Sequence, residues 1–373
     1  MPIYIGDLLL SADVKPNHVV DIPAIKDINA RLPKGTPRSV HALRQKLNLI
    51  SDRLIVAWAG SYLQARSLMS EMKRAADNGN ITLENIRQIV ESRDPGDRDD
   101  LQFVGTLLTP NHLGDGRVYL QHFEYCIDCI SMGDVQIYAG GSGANDLLRI
   151  VPHGVVSNPL PDCQPESPEH YDWALAQAMA VSGALIGHET TTAENIPNWW
   201  GGGIEVASFV EGKFQKLTDV LHTVWRAIKI DSQRYEICFV PKLIKYDYFE
   251  DALVAQTFSI SINSANHKAV VEDHSYRMYT PILKGRHSYD LSRFEPRDLR
   301  HTTLCCYVLM EPPDPSLGNL VRVYYDAMGD TPFRFAKSAD NFVFSFRGDL
   351  LNNLESDVSR ATGLPAKLCQ IGS

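Results

Sequence analysis

No run of basic residues interrupts this chain of 373 residues, whose formal charge is −9 from 36 Lys and Arg against 45 Asp and Glu. Proteins that hold nucleic acid through its phosphates concentrate positive charge, so a nucleic-acid partner is not expected. No apolar stretch approaches the length that spans a bilayer, so neither is a membrane. The first residues, MPIYIGDLLLSADV, lack the basic start and the small-residue cleavage site of a secretory signal. Cysteine is sparse. The seven present are odd in number and scattered, which suits reduced thiols in the cytoplasm better than a disulfide framework. Cys126 and Cys129 form a CxxC without a second such pair, and His188-Glu189 lacks the second histidine of a zinc-protease helix because position 192 is Thr192. No metal or other cofactor is expected. Gly140–Gly143 lacks the Gly-Lys-Ser/Thr ending of a phosphate loop. His267, His274, His287 and His301 stand among polar residues and read as solvated. What remains, 44% apolar and 22% charged, is the composition of a soluble globular protein with chain enough for one large or two ordinary domains.

The stretch from Ser39 to Ala76 organises the rest, and it changes period partway. Leu47 and Leu49, then Leu54, Ile55 and Val56, predict two strands joined through the polar Ser51-Asp52-Arg53. From Gly60 onward Leu63, Leu68, Met69, Met72 and Ala76 fall on one helical face, with Ser61 placed to cap it. Lys46 stands at the entry to the first strand.

In chain order, Ile3–Leu10 reads as a strand carrying Asp7, residues 14–40 as a loop with a short helix around Ile25–Leu32, and Ile81–Arg93 as a helix capped by Thr82. Residues 94–100 form a charged turn. Strands follow at Leu101–Leu108, Arg117–Cys126 and Val135–Ala139, the last ending in Gly140-Gly141-Ser142-Gly143. Residues 158–170 read as an exposed linker and Tyr171–His188 as a helix. WWGGG, Trp199–Gly203, leads into the strand Ile204–Phe209, with the two tryptophans packing at a corner. Lys213–Trp225 reads as one more strand and a helix start. Beyond it, strands at Tyr235–Val240, Leu253–Ile262, Thr302–Met310, Leu320–Asp326 and Phe342–Phe346 precede a helix over Asp349–Thr362.

That order, with IYIGDLLLS, HALRQKLNLISDRLIVAWAGSYLQARSL, IYAGGSGAND and the weaker WWGGGIEVASF, resembles the proteasome β-subunit branch of the N-terminal-nucleophile hydrolases, bacterial proteasome-like peptidases included. The resemblance covers roughly residues 3–228. It implies an α+β fold, a four-layer αββα sandwich over residues 1–230; beyond it, the strand-like runs of 231–373 read as a β-rich C-terminal domain or elaboration. The resemblance also implies hydrolysis of a peptide or small amide, and a homo-oligomer. The family's nucleophile is a Thr, Ser or Cys at the mature N-terminus, whose own α-amine is the base; that amine titrates at about 7.7–8.0, close to operating pH. The family's aspartate aligns with Asp7, its lysine with Lys46, its oxyanion-stabilising glycine with Gly60, and its Gly-Ser-Gly serine with Ser142.

In the family the nucleophile lies one strand before the aspartate, whereas only Met1 to Gly6 precede Asp7, and Pro2 offers no hydroxyl or thiol. Three explanations stand: a chain that starts internally, a cut upstream of Met1, or an inactive member kept as a structural or interaction subunit. Taken singly, each site residue also has a structural reading. Lys46 is a strand lysine, Asp7 a turn cap, and Gly60 and Ser142 are corner residues.

Overall fold

The computed structural model describes residues 2–13, 16–23, 25–93, 100–110, 118–132, 135–148, 168–191, 193, 195–210, 212–263, 268–293, 302–311, 320–324, 333–338 and 341–369. Most of the expected turn at 94–100, most of the linker at 158–170, His267 and His301 lie outside them.

The first apolar run divides into β1 (Ile3–Asp7) and β2 (Leu9–Ala12), where a single strand was expected. The break falls at Leu8, whose amide donates to the Gly201 carbonyl at 3.0 Å instead of continuing a ladder. The short helix expected near Ile25–Leu32 is a 3₁₀ turn at Ile28–Arg31, and β3 (Ser39–Leu43) pairs back onto β2. The hairpin is β4 (Leu47–Ser51) and β5 (Leu54–Gly60), whose turn is closed by the Arg53 amide donating to Ser51 Oγ. Two helices follow, α1 (Tyr62–Asp77) and α2 (Leu83–Glu91), capped by Ser61 and Thr82. Each hydroxyl accepts a first-turn N–H that has no partner within the helix.

Next come β6 (Leu101–Pro110), β7 (Val118–Tyr125), β8 (Asp128–Met132) and β9 (Val135–Ala139), then α3 (Pro168–Thr191), β10 (Ile204–Val210), β11 (Lys213–Lys216) and β12 (Val220–Lys229). The helix start expected before Trp225 is instead β12. It pairs antiparallel with β13 (Tyr235–Phe249) and parallel with β16 (Thr303–Glu311), and Val220–Trp225 are buried throughout. A run buried on both faces carries no two-residue alternation, which is why its apolar residues imitate a helical face. The remaining elements are β14 (Ala252–Asn263), β15 (Lys268–Tyr279), β17 (Leu320–Tyr324), β18 (Phe333–Ser338), β19 (Asn341–Phe346), α4 (Gly348–Thr362) and β20 (Ala366–Leu368).

Among the described residues the strands form one large sheet ordered β17-β16-β12-β13-β14-β15-β19-β18 with β20 on β13, a four-stranded sheet β4-β5-β6-β7, a three-stranded sheet β1-β10-β11, and the pairs β2-β3 and β8-β9. The class is mixed α+β. Side-chain alternation assigns each face a partner. Ile50, Leu54, Val56, Trp58, Phe103 and Leu107 pack with Leu68, Met69, Met72 of α1 and Ile86, Val90 of α2. The opposite faces of the same strands give Leu47, Ile55 and Leu108, which meet Tyr4, Ala207 and Phe214 of the three-stranded sheet. Ile204 and Val206 pack with Ala178, Val181 and Leu185 of α3 and with Tyr246, Leu253 and Tyr279 of the large sheet. Leu350, Leu354 and Val358 of α4 cover the far end of that sheet around Trp225 and Phe344.

Two local expectations are corrected. Cys238 on β13 and Cys369 after β20 form a disulfide, not two reduced thiols. The parallel pairing of β20 with β13 brings their Cα atoms to 5.3 Å, within the span such a bond needs. His274 is not solvated: it stacks on Phe258 and meets Gln256 Oε1 at 3.0 Å.

Candidate active site

The end of β1 and the start of β4 meet at an ion pair. Lys46 Nζ donates to Asp7 Oδ1 at 2.5 Å, with the two side chains only 11% and 18% exposed. Each partner is held by its own backbone setting. The other oxygen of Asp7 accepts the Gly201 amide at 2.8 Å. The amides of Lys46 and Leu47 both donate to Glu205 Oε1, at 2.7 and 2.6 Å. Glu205 lies on β10, 1% exposed, and its second oxygen accepts from Lys216 Nζ at 2.8 Å. A buried carboxylate is tolerable only with such a set of donors. Glu205 thereby ties the start of β4 to β10 of the neighbouring sheet.

The pair borders a cavity of about 120 Å³. Ile5, Ala57, Val104, Ile127, Leu185 and Trp200 make much of its wall apolar, and the Gly140–Gly143 turn after β9 closes one side. Ser142 lines it too, and its hydroxyl donates to the Trp199 carbonyl at 2.6 Å. Residues 144–148 continue from the turn as a short helical segment.

Gly60, the last residue of β5, stands just past Ala59, which lines the cavity; Gly60 itself does not. Its φ of +93° and the Asp100 carbonyl oxygen, which any Cβ would overlap, require glycine there. Asp7, Lys46 and Ser142 thus share one cavity, and Gly60 is at its margin.

The Trp199–Gly203 corner expected before β10 is also the turn that joins these pieces, a role its motif did not reveal. Trp199, Gly201, Gly202 and Gly203 all have positive φ. Besides the Gly201 amide on Asp7 and the Trp199 carbonyl on Ser142, the Trp200 indole N–H donates to Asp146 Oδ2 at 2.6 Å, and the Gly202 amide donates to Glu189 Oε2 at 2.6 Å. Glu189, on α3, is 5% exposed, and burial pushes its carboxyl up to about 7 against the lowering effect of the Gly202 and Asn195 donors. Three successive glycines beside two tryptophans were the available signal.

Among the described residues no group of three or more His, Cys, Asp or Glu could hold a metal ion, and no helix is long and apolar enough to cross a membrane. What the arrangement offers chemically is a cation fixed by a carboxylate at the wall of a largely apolar hollow.

The chain is a mixed α+β protein with this single-cation cavity. No protein-family model matches it, and no curated protein matches its sequence. Among solved structures it is similar to eukaryotic HslV from Trypanosoma brucei, at 15% identity over 55% of this chain and 90% of that one, with a TM-score of 0.28.

Proposed function

We propose that residues 1–230 have the four-layer αββα sandwich of the proteasome-like N-terminal-nucleophile hydrolases, with 231–373 as its β-rich elaboration, and that the cavity at Asp7 and Lys46 hydrolyses a peptide or small amide. The observation that carries this is the Asp7–Lys46 pair at 2.5 Å facing the Gly140–Gly143 turn. The layering is supported by the Tyr4, Leu47, Ile55 and Ala207 cluster between the two smaller sheets, with α1 and α2 on one outer face and α3 on the other.

A cation held at this point lowers the pKa of a neighbouring hydroxyl or thiol and keeps an adjacent amine neutral. The nucleophile belongs on the strand that pairs with the edge of β1 not taken by β10, an edge without a strand among the described residues. In an antiparallel pair, such a strand begins opposite the last residue of β1, which is Asp7. Its first residue then lies beside Lys46. Ser142 Oγ, donating to Trp199, keeps lone pairs to accept from the terminal amine, whereas Gly60, aligned with the family's oxyanion glycine, stands at the cavity's margin and not among its lining residues. The protein works as a homo-oligomer; the cytoplasmic location expected from reduced thiols loses that support with the Cys238–Cys369 disulfide. The test is to isolate it from its own cells, determine its first residue by intact mass, and assay cleavage of fluorogenic peptide amides. A Thr, Ser or Cys start with turnover supports the reading.

A second reading, an inactive structural or interaction subunit, is favoured by one observation. Among the described residues that line the cavity, only Ser142 and Tyr138 carry a hydroxyl and none a thiol, and the Ser142 proton is committed to Trp199. A start without a nucleophile and no turnover supports that alternative.

A further inference from the structure

The Gly201-Gly202 turn grips two carboxylates with consecutive amides: Asp7 Oδ2 from Gly201 at 2.8 Å and Glu189 Oε2 from Gly202 at 2.6 Å. Of the two, only Asp7 has a cation. Glu189 is bonded at Oε2 to neutral donors, the Gly202 amide and the Asn195 side-chain amide at 3.1 Å, and no Lys, Arg or His pairs with it among the described residues. Two carboxylates held by one buried turn, with a cation on only one of them, cannot both ionise at little cost.

The other groups facing Glu189 do not relieve this. From β13 comes Tyr246, with His222 of β12 edge-on to its ring, and from β15 comes Tyr279. On α3 itself His188 stacks on Trp200. Glu205 of β10 is turned to Lys216.

We propose that Glu189 is a positioning residue of this site: it holds a proton and, through the Gly201-Gly202 turn, keeps Asp7 in line with Lys46. The inference rests on reading Asp7 and Lys46 as the working pair. Loss of that proton puts a second negative charge behind Asp7 and pulls harder on the Gly202 amide, so the turn and the Gly201–Asp7 bond adjust together. The buried carboxyl, raised to about 7, places the event near neutrality.

The experiment follows the Gly201 and Gly202 amide resonances of the ¹⁵N-labelled full chain from about pH 5 to about pH 8.5, in the wild type, Glu189→Gln and Asp7→Asn. The expected result is that both wild-type amides titrate with one shared midpoint near 7. Glu189→Gln abolishes that movement, and Asp7→Asn shifts the Gly202 midpoint to lower pH because the facing negative charge is gone. A Gly201 amide that stays fixed while Gly202 moves overturns the proposal, as does a Glu189→Gln chain that titrates like wild type. Should Glu189→Gln not fold, the wild-type curves decide alone: joint movement supports the relay and a fixed Gly201 overturns it. The absence of peptide turnover leaves these curves unchanged, so the two readings fail separately.

Discussion

Asp7 and Lys46, thirty-nine positions apart, close an ion pair at 2.5 Å between the end of one sheet's edge strand and the entry to another's. Because both side chains are largely buried, removing one partner leaves the other in a poor solvent. Lys46→Met is expected to cost about 3 kcal/mol of unfolding free energy. Asp7→Asn combined with Lys46→Met should recover part of it. Urea melts of the single and double variants check this; additive losses would mean that the two side chains are not coupled.

The turn after Trp200 makes a sharper stability prediction. A Cβ on Gly201, at a φ of +113°, would overlap both Glu189 Oε2 and Asn195 Nδ2. Gly212 has a similar positive φ of +80° but nothing within 4 Å of its Cβ position. Gly212→Ala should therefore cost only about 1 kcal/mol of backbone strain, while Gly201→Ala costs clearly more and loosens Asp7. Thermal midpoints of the two variants give the comparison.

Burial pushes the His222 imidazole down to about 3, so the folded chain holds it neutral. The unfolded chain binds that proton at about pH 6.5. Stability from this group is therefore complete above that pH and is lost as pH falls towards 3. The loss over the window is on the order of 5 kcal/mol. His222→Leu should flatten this limb of the stability–pH curve, and an unchanged acid limb would show that the ring is not the titrating group.

The disulfide between Cys238 and Cys369 closes a separation of 131 residues and ties the end of the chain to β13. A loop of that size corresponds to roughly 4–5 kcal/mol in the chain-entropy picture. Non-reducing digestion should recover the two cysteines in one linked peptide, and Cys369→Ser should lower the denaturation midpoint in oxidising buffer only. Buried Cys306, whose thiol burial pushes up to about 12, should resist alkylation until the chain unfolds, while exposed Cys126 and Cys129 react at once.

Much of this arrangement is legible locally. The hairpin, Ser61 and Thr82 are found where turn and cap chemistry places them, because those signals act over three or four residues. Asp7 and Lys46 could be named together only through the resemblance, since no local rule links positions so far apart. Glu205 was hidden as one polar residue in an apolar strand, and Glu189 as the end of an apolar helix. Their importance comes from the backbone amides they accept, which depend on how separate elements meet. Strands β15 and β18 were missed because their alternation is broken by charged residues, and β12 because it is buried on both sides.

A nucleophile held beside Lys46 should react with a peptidyl electrophile. The protein isolated from its own cells, and a Lys46→Ala variant expressed in those cells, are incubated with the probe and weighed intact. The expected result is a single covalent adduct on an N-terminal Thr, Ser or Cys of the wild type, slowed by at least about tenfold in Lys46→Ala, or about 1.4 kcal/mol in the barrier. No adduct on the wild type, or one that forms equally fast in the variant, would contradict it.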